Sequence, residues 1–106
     1  MYTMSSDSLR MTVESLMTKV PYGQVTTYGD LAALAGHATA SRAVGGIAHY
    51  GNQNLPWHRL VNRFGGLALG FHGGRDVQAQ LLEQEGVYCT NYVVNNFEEL
   101  RWKPRI

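Results

Sequence analysis

Two short segments on either side of Gly36 constrain the fold of this chain more than any other feature of its sequence. Thr27 is a good N-cap for a helix over residues 28–35, which Gly36 can end in the left-handed conformation. Thr39 can cap a second helix over residues 40–49. Two short helices joined by a turn of a few residues are typical of the helix-turn-helix, in which the second helix is the one that enters a DNA groove.

Two further helices are predicted outside this motif. Apolar residues at helical spacing between residues 9 and 20 predict the first, which Ser6 or Asp7 can cap and Pro21 ends. The other is predicted over residues 75–85. Its inward face should carry Val77, Leu81 and Leu82.

The Gly- and Asn-rich stretch over residues 51–74 favours loops, with two short strands at 60–62 and 66–68 as a small wing. The sequence therefore predicts a mainly α, winged helix-turn-helix-like DNA-binding domain with a small two-stranded wing. The length of 106 residues fits a single domain over residues 1–106.

Composition excludes several classes of function. One cysteine, Cys89, can form neither an intramolecular disulfide nor a cysteine-based zinc site, and the four histidines stand at no ligand spacing, so we expect no metal and no cofactor. A net charge of +1 argues against bulk electrostatic binding to nucleic acid. No apolar run approaches a signal peptide or the ~20 residues of a membrane span. We expect a monomer in the cytoplasm, nucleoid-associated when bound to DNA, or in the nucleus of a eukaryote.

The second motif helix offers the first candidate residues. Ala40 and Ser41 are small and Arg42 is a long cation, a pattern that allows close approach to a DNA groove but also suits a core helix with a solvated arginine. Gly45 and Gly46 each cost about 1 kcal/mol relative to Ala inside a helix. That cost indicates that another helix or DNA approaches the backbone there.

The segment from Pro56 to Leu60 combines an aromatic, a histidine and an arginine. Taken alone, it fits a pocket wall or core position for Trp57 and a hydrogen-bonded structural histidine at His58. A nucleophile would need an activating base nearby, and Cys89 has no local histidine, which favours an inert thiol.

Several segments together resemble one family, the DNA-binding domain of the O6-alkylguanine-DNA alkyltransferases. These segments occur in the family's order and at about its spacing, and they span roughly residues 8–87. They are PYGQVTTYGDLAALAG, SRAVGG, GN, PWHRL, GLALGFHGG and LLEQEG.

The enzymes of that family have Pro-Cys-His-Arg where this chain has Trp57 after Pro56. This substitution, together with the Trp-Lys-Pro at 102–104, resembles the alkyltransferase-like subfamily. An indole has an N–H donor and no basic lone pair, so Trp57 cannot accept an alkyl group. It can still pack against an alkyl chain and present its N–H to the lesion.

The resemblance also implies roles in DNA binding. Arg42 resembles the arginine that fills the space of an extruded nucleotide, and Tyr28 resembles the tyrosine that promotes rotation of the target phosphate. Ala40 resembles the small residue that lets the helix enter the minor groove, with Ser41 and Gly45 on the same surface.

A pocket and its support follow from the same resemblance. Asn52 resembles a buried asparagine that braces the link from the recognition helix to the active-site loop, and His58 with Glu85 resembles a relay that here has only a structural role. The remaining pocket walls are Pro56, Leu69 and Phe71. The loop departs from the enzymes, which often have Tyr-Ser where Phe71 and His72 stand.

The resemblance implies a protein that docks in the minor groove, flips O6-alkylguanine out of duplex DNA and flags it for nucleotide excision repair without alkyl transfer. Its partners would be double-stranded DNA containing O6-alkylguanine and nucleotide excision repair proteins. Two alternatives stay open at this point. One is a helix-turn-helix regulator without lesion preference, and the other is an alkyltransferase that uses another acceptor.

Overall fold

A computed structural model describes residues 6–105. Its helices are α1 (Ser6–Lys19), α2 (Tyr28–Leu34), α3 (Ser41–Tyr50), α4 (Gly74–Gln84) and α5 (Phe97–Leu100), with a single 3-10 turn at Trp57–Arg59. Its strands have two residues each: β1 (Thr26–Thr27), β2 (Leu60–Val61), β3 (Cys89–Thr90) and β4 (Val93–Val94). Within this described range, no helix is long and apolar enough to cross a bilayer.

The predicted helix-turn-helix is confirmed as α2 and α3. The Thr27 hydroxyl accepts a hydrogen bond from the Asp30 backbone N–H at 3.0 Å, and Gly36 follows the helix with a φ of +84°. The predicted cap at Thr39 is wrong. The helix begins at Ser41, and Ala40, whose methyl group cannot accept a hydrogen bond, takes the cap position. The Ala40 N–H closes the preceding turn onto the His37 carbonyl.

The predicted mainly helical class with a small two-stranded sheet is also confirmed, but the strands pair differently from the expected wing. β2 pairs in parallel with β1, so that Thr26 lies opposite Leu60. Residues 66–68 form no strand of their own, and Gly66 instead bridges to Val93 of an unpredicted hairpin, β3–β4. The hairpin turn includes Tyr92 at a φ of +63°, a conformation that a bulky side chain rarely adopts.

The core has two parts. One lies between α1, α2 and α3 and includes Trp57, and the other joins β2 and α4 to the hairpin. Leu82 is buried as expected, but Val77 is 38% exposed, so its predicted inward position is wrong. Gln78 takes that place. The caps predicted at Ser6 or Asp7 fall on side chains outside the described residues.

Gln78 is fully buried because its amide satisfies three backbone groups. Its Oε1 accepts from the Ala68 N–H at 2.9 Å, and its Nε2 donates to the carbonyls of His58 and Leu60 at 3.1 and 3.0 Å. A buried amide with full hydrogen bonding avoids the desolvation penalty that an unpaired one would incur. This side chain therefore joins α4 to the loop before it and to the segment around Trp57.

Candidate functional site

A small cavity lies between the helix-turn-helix and the glycine-rich loop over residues 68–72. It measures about 70 Å³. Sites for small ligands usually measure about 300–1,000 Å³, so this cavity is small for a ligand site. Five of its eleven lining residues carry aromatic or imidazole rings, and α3 and the loop supply most of the others. The lining includes Tyr28, Gly45, His49, Gln53, Trp57, Ala68, Gly70, Phe71 and His72.

Trp57 forms the floor of this cavity and is only 5% exposed. The 3-10 turn that begins at this residue directs the indole into the first core cluster. Its Nε1 donates to the Asn52 carbonyl at 2.7 Å. The prediction that this N–H would be presented to a ligand is therefore wrong for the present conformation, because Asn52 already uses it.

Asn52 braces the recognition-helix link, but it is exposed rather than buried as the resemblance implied. Its carbonyl accepts from Trp57, and its N–H donates to the Glu14 carboxylate at 3.0 Å. Its side-chain oxygen accepts from the Asn54 N–H. Two of these three contacts use backbone atoms, so the bracing depends on the path of the chain more than on the amide side chain.

A buried charged network lies behind the cavity floor. Glu85 accepts from His58 Nε2 at 2.5 Å, from the Arg59 guanidinium at 2.9 Å and from the Gly23 N–H at 2.8 Å. Burial would raise the pKa of Glu85, but the hydrogen bonds from Arg59, Gly23 and His58 outweigh it and lower this pKa to about 2. The sequence predicted the His58–Glu85 pair and missed Arg59.

Arg59 also donates to the Val20 carbonyl at the end of α1. The network thus fastens the Trp57 turn to α1, to the turn after it and to the end of α4. The Glu85 carboxylate, held ionised beside the Arg59 guanidinium, acts as a fixed anchor for this turn. Such an arrangement can position Trp57 in the cavity wall, and this role requires no covalent chemistry.

The first turn of α3 presents the predicted DNA-binding side chains to solvent. Ser41 and Arg42 are exposed, and Ala40 is half-buried. Gly45 faces the Tyr28 ring, which would lie 3.9 Å from an added Cβ, whereas a Cβ at Gly46 would meet nothing within 4 Å. A distance of 3.9 Å is ordinary van der Waals contact, so among the described residues nothing approaches either glycine closely enough to exclude a side chain, and the expected close approach is not seen.

The other predicted pocket residues lie in different places. Phe71 lines the cavity, whereas His58 lines a neighbouring cavity of about 430 Å³ that shares Trp57, Phe71 and His72 with the first. Leu69 is 81% exposed, so its predicted place in the lining is wrong, because the loop turns this side chain outward. Pro56 is half-buried and precedes the Trp57 turn without lining the cavity.

A histidine pair that the sequence analysis missed holds the loop against α3. The His49 and His72 rings stack with their centroids 4.9 Å apart. His72 Nε2 donates to the His49 carbonyl at 2.8 Å, and His49 Nδ1 donates to the Gly70 carbonyl at 3.3 Å. The two residues are 23 positions apart, and no local pattern pairs them.

Cys89 lies on β3 in the second core cluster and is absent from the cavity lining. Burial raises the pKa of its thiol, which lowers the fraction of nucleophilic thiolate. Across residues 6–105, no three His, Cys, Asp or Glu side chains cluster as metal ligands would.

Comparison with known proteins gives consistent matches. Residues 8–87 match the family model described as 6-O-methylguanine DNA methyltransferase, DNA binding domain. The chain is 40% identical over 100 residues to the DNA base-flipping protein of Escherichia coli, covering 91% of this chain and 75% of that protein. It is 34% identical to alkyltransferase-like protein 1 of Schizosaccharomyces pombe, covering 95% of this chain and all of that protein.

Solved structures agree. The fold matches a crystal structure of the Schizosaccharomyces pombe alkyltransferase-like protein in complex with damaged DNA containing O6-carboxymethylguanine, with a TM-score of 0.83 at 32% identity. That match covers 95% of this chain and 100% of the other.

Proposed function

Because the chain belongs to the family of the 6-O-methylguanine DNA methyltransferase DNA-binding domain, and within it to the alkyltransferase-like proteins, we propose that it flips O6-alkylguanine out of duplex DNA and holds it without taking the alkyl group. Docking would use the first turn of α3 in the minor groove. The flipped base would enter the cavity beside Tyr28 and Trp57, and the bound lesion would then be flagged for nucleotide excision repair.

The observation that carries the proposal is the buried indole of Trp57 at the cavity floor. Alkyl transfer from O6 needs a strong nucleophile, and the indole offers only an N–H, which already donates to the Asn52 carbonyl. The single thiol of the chain, Cys89, lies outside the cavity lining. This arrangement supports a site that binds the alkylated base and does not take up its alkyl group.

The cavity volumes bear on how a flipped base would be held. A volume of about 70 Å³ is small for a purine, so a bound base would need either the adjoining cavity of about 430 Å³ or a shift of the loop over residues 68–72. Flipping costs a few kcal/mol and costs least for a damaged, poorly paired base. Selection for the lesion can therefore begin in the duplex, before contact with the cavity.

The test combines binding with intact mass. Affinity is measured for two duplexes that differ only in one O6-methylguanine, and the protein is weighed after the incubation. We expect tighter binding to the lesion duplex and no mass gain. Equal affinities would favour a regulator without lesion preference, and a stable gain of one methyl group would show an alkyltransferase with another acceptor.

Arg42→Ala tests the flipping step. The exposed guanidinium would fill the space left by the extruded base, so its removal should weaken binding to the lesion duplex by about tenfold, within the few kcal/mol of flipping. Arg63→Ala removes an exposed cation at a turn outside the helix-turn-helix and serves as the control. An Arg42 variant that binds the lesion as tightly as the Arg63 variant would contradict this role.

The link to nucleotide excision repair has its support in the family resemblance alone. It predicts that lesion-bound protein retains a nucleotide excision repair component from a cell extract on immobilised DNA. The matched control is the Arg42→Ala protein on the same DNA. If the parent protein retained no more of such a component than this control, this part of the proposal would be wrong.

A further inference from the structure

The chain segment after α5 carries an ion pair with the helix-turn-helix. Arg101 donates to both carboxylate oxygens of Asp30, from Nε at 2.7 Å and from Nη2 at 2.8 Å. Asp30 lies in the first turn of α2, two residues after Tyr28. In helix-turn-helix proteins the first helix of the motif crosses the DNA backbone, where a free carboxylate would repel phosphate. Arg101 neutralises that carboxylate.

The segment is fixed in place by backbone and core contacts. Val25 donates to the Leu100 carbonyl at 2.9 Å and accepts from the Trp102 N–H at 2.7 Å. The Trp102 side chain packs against the first core cluster. Residues 100–102 therefore run beside the strand that leads into α2, and their side chains hold a defined position relative to Tyr28.

Lys103 adds a second cation to this surface. Asp30, Arg101 and Lys103 line one groove, and the Lys103 side chain is exposed. Hydrogen bonds from Arg101 lower the pKa of Asp30 despite its burial, and the charge of Lys103 adds to that effect. One carboxylate therefore faces two cations in the groove, although Glu98 also contacts Arg101 from the exposed end of α5.

From this geometry we propose that Lys103 binds a phosphate of duplex DNA, and that Arg101 is a positioning residue that keeps Asp30 from repelling the same backbone. The surface extends the DNA interface from α3 and Tyr28 across α2 to the carboxyl-terminal segment. The inference rests on the proposed binding of duplex DNA. It concerns the backbone only, so it predicts no effect on lesion preference.

The experiment measures the salt dependence of binding for the full chain. Each phosphate contact contributes about 0.9 to the slope of log affinity against log salt concentration. Lys103→Gln should lower that slope by about this amount on an unmodified duplex. The ratio of lesion to unmodified affinity should stay as in the parent protein. Arg63→Gln removes the same formal charge elsewhere and should leave the slope unchanged.

A second variant pair tests the role of Arg101. Arg101→Gln should weaken binding to both duplexes because the Asp30 carboxylate is then uncompensated, and Asp30→Asn in the same protein should restore it. If the ion pair acted only on the fold, binding would fall and recover in step with the midpoint of thermal unfolding. Thermal unfolding of each variant confirms that the comparison is between folded proteins.

Two outcomes would overturn the inference. One is an unchanged slope for Lys103→Gln, and the other is an equal loss for the Lys103 and Arg63 variants, which would mean that only net charge matters. These outcomes are separate from failure of the proposed function. If the parent protein bound both duplexes equally, the proposed lesion preference would fail. The difference in salt slope between the parent and Lys103→Gln would still report whether Lys103 contacts phosphate.

Discussion

Two adjacent threonines show that the contribution of a hydroxyl group to stability depends on its hydrogen-bond partners. Both lie buried in β1. The Thr27 hydroxyl caps α2. The Thr26 hydroxyl is buried and has no hydrogen-bond partner among the described residues. An unpaired buried hydroxyl costs stability, whereas a capping one contributes it.

We therefore expect opposite effects from the same substitution. Thr26→Val keeps the side-chain shape and removes the unpaired group, which should raise the free energy of unfolding by about 1 kcal/mol. Thr27→Val removes the cap and should lower it by about 1 kcal/mol. Urea unfolding measures the free energy of unfolding of both variants and of the parent. A loss of stability for Thr26→Val would show that this hydroxyl does find a partner in solution.

Among the elements, the loop over residues 68–72 connects structure to function most directly. It lines the cavity beside Trp57, and the His49–His72 pair holds it against the end of α3. This pair contributes two hydrogen bonds and one ring stack between exposed side chains, and Phe71 adds packing against the first core cluster. Hydrogen bonds between exposed groups stabilise the loop only modestly, so the part that the histidines hold can release without unfolding the domain.

Loss of this pair should loosen the loop alone. His72→Ala removes the stack and the bond to the His49 carbonyl, so we expect faster amide exchange over residues 70–74 with no change in α1. Hydrogen exchange read by mass spectrometry measures it. Leu69→Ala, an exposed change in the same loop, is the control. Equal exchange in the two variants would mean that the histidines do not hold the loop.

Local signals in the sequence predicted some elements well and missed others. The Thr27 cap and the stop at Gly36 depend on neighbours a few residues away, so α2 was predicted almost to its ends. The β1–β2 pairing joins residues 34 apart, and the His49–His72 stack joins residues 23 apart. Nothing local indicates such partners, which is why the wing was placed wrongly and the loop contact was missed.

The site followed the same pattern. The family's motif order put Trp57, His58 and Glu85 in one neighbourhood, and they do lie together. Residue identity did not show that Asn52 would take up the Trp57 N–H, or that Leu69 would turn outward, because both depend on the backbone path around them. Those two details decide what the cavity offers to a ligand.

In the molecule as a whole, stability should depend on pH through Glu85. Its pKa is about 2 in the folded protein, against an ordinary value of 4.5, so the ionised form is favoured by folding. The side chain is 6% exposed, and the lowering corresponds to about 3 kcal/mol. That contribution is present above pH 4.5 and is lost as the pH falls towards 2.

Thermal unfolding between pH 6 and 2 tests this expectation. The melting temperature of the parent should fall steeply below pH 4.5. Glu85→Gln should have a lower melting temperature than the parent at pH 6, because the ionised carboxylate is gone. Its melting temperature should then fall less on acidification. Glu83→Gln, an exposed change in the last turn of α4, should follow the parent curve. Parallel curves for the parent and the Glu85 variant would assign the acid sensitivity to other carboxyls.

The amide of Gln78 sets a limit on how far this molecule can rearrange. It pins the Ala68 N–H on one side of the closing loop, and the left-handed glycines Gly73 and Gly74 stand on the other. Only the four residues between those points, 69–72, can take a different backbone path. A form that encloses a bulky adduct should therefore superpose on the present one everywhere except along this short stretch, and adducts of different size would differ only in how far it swings outward.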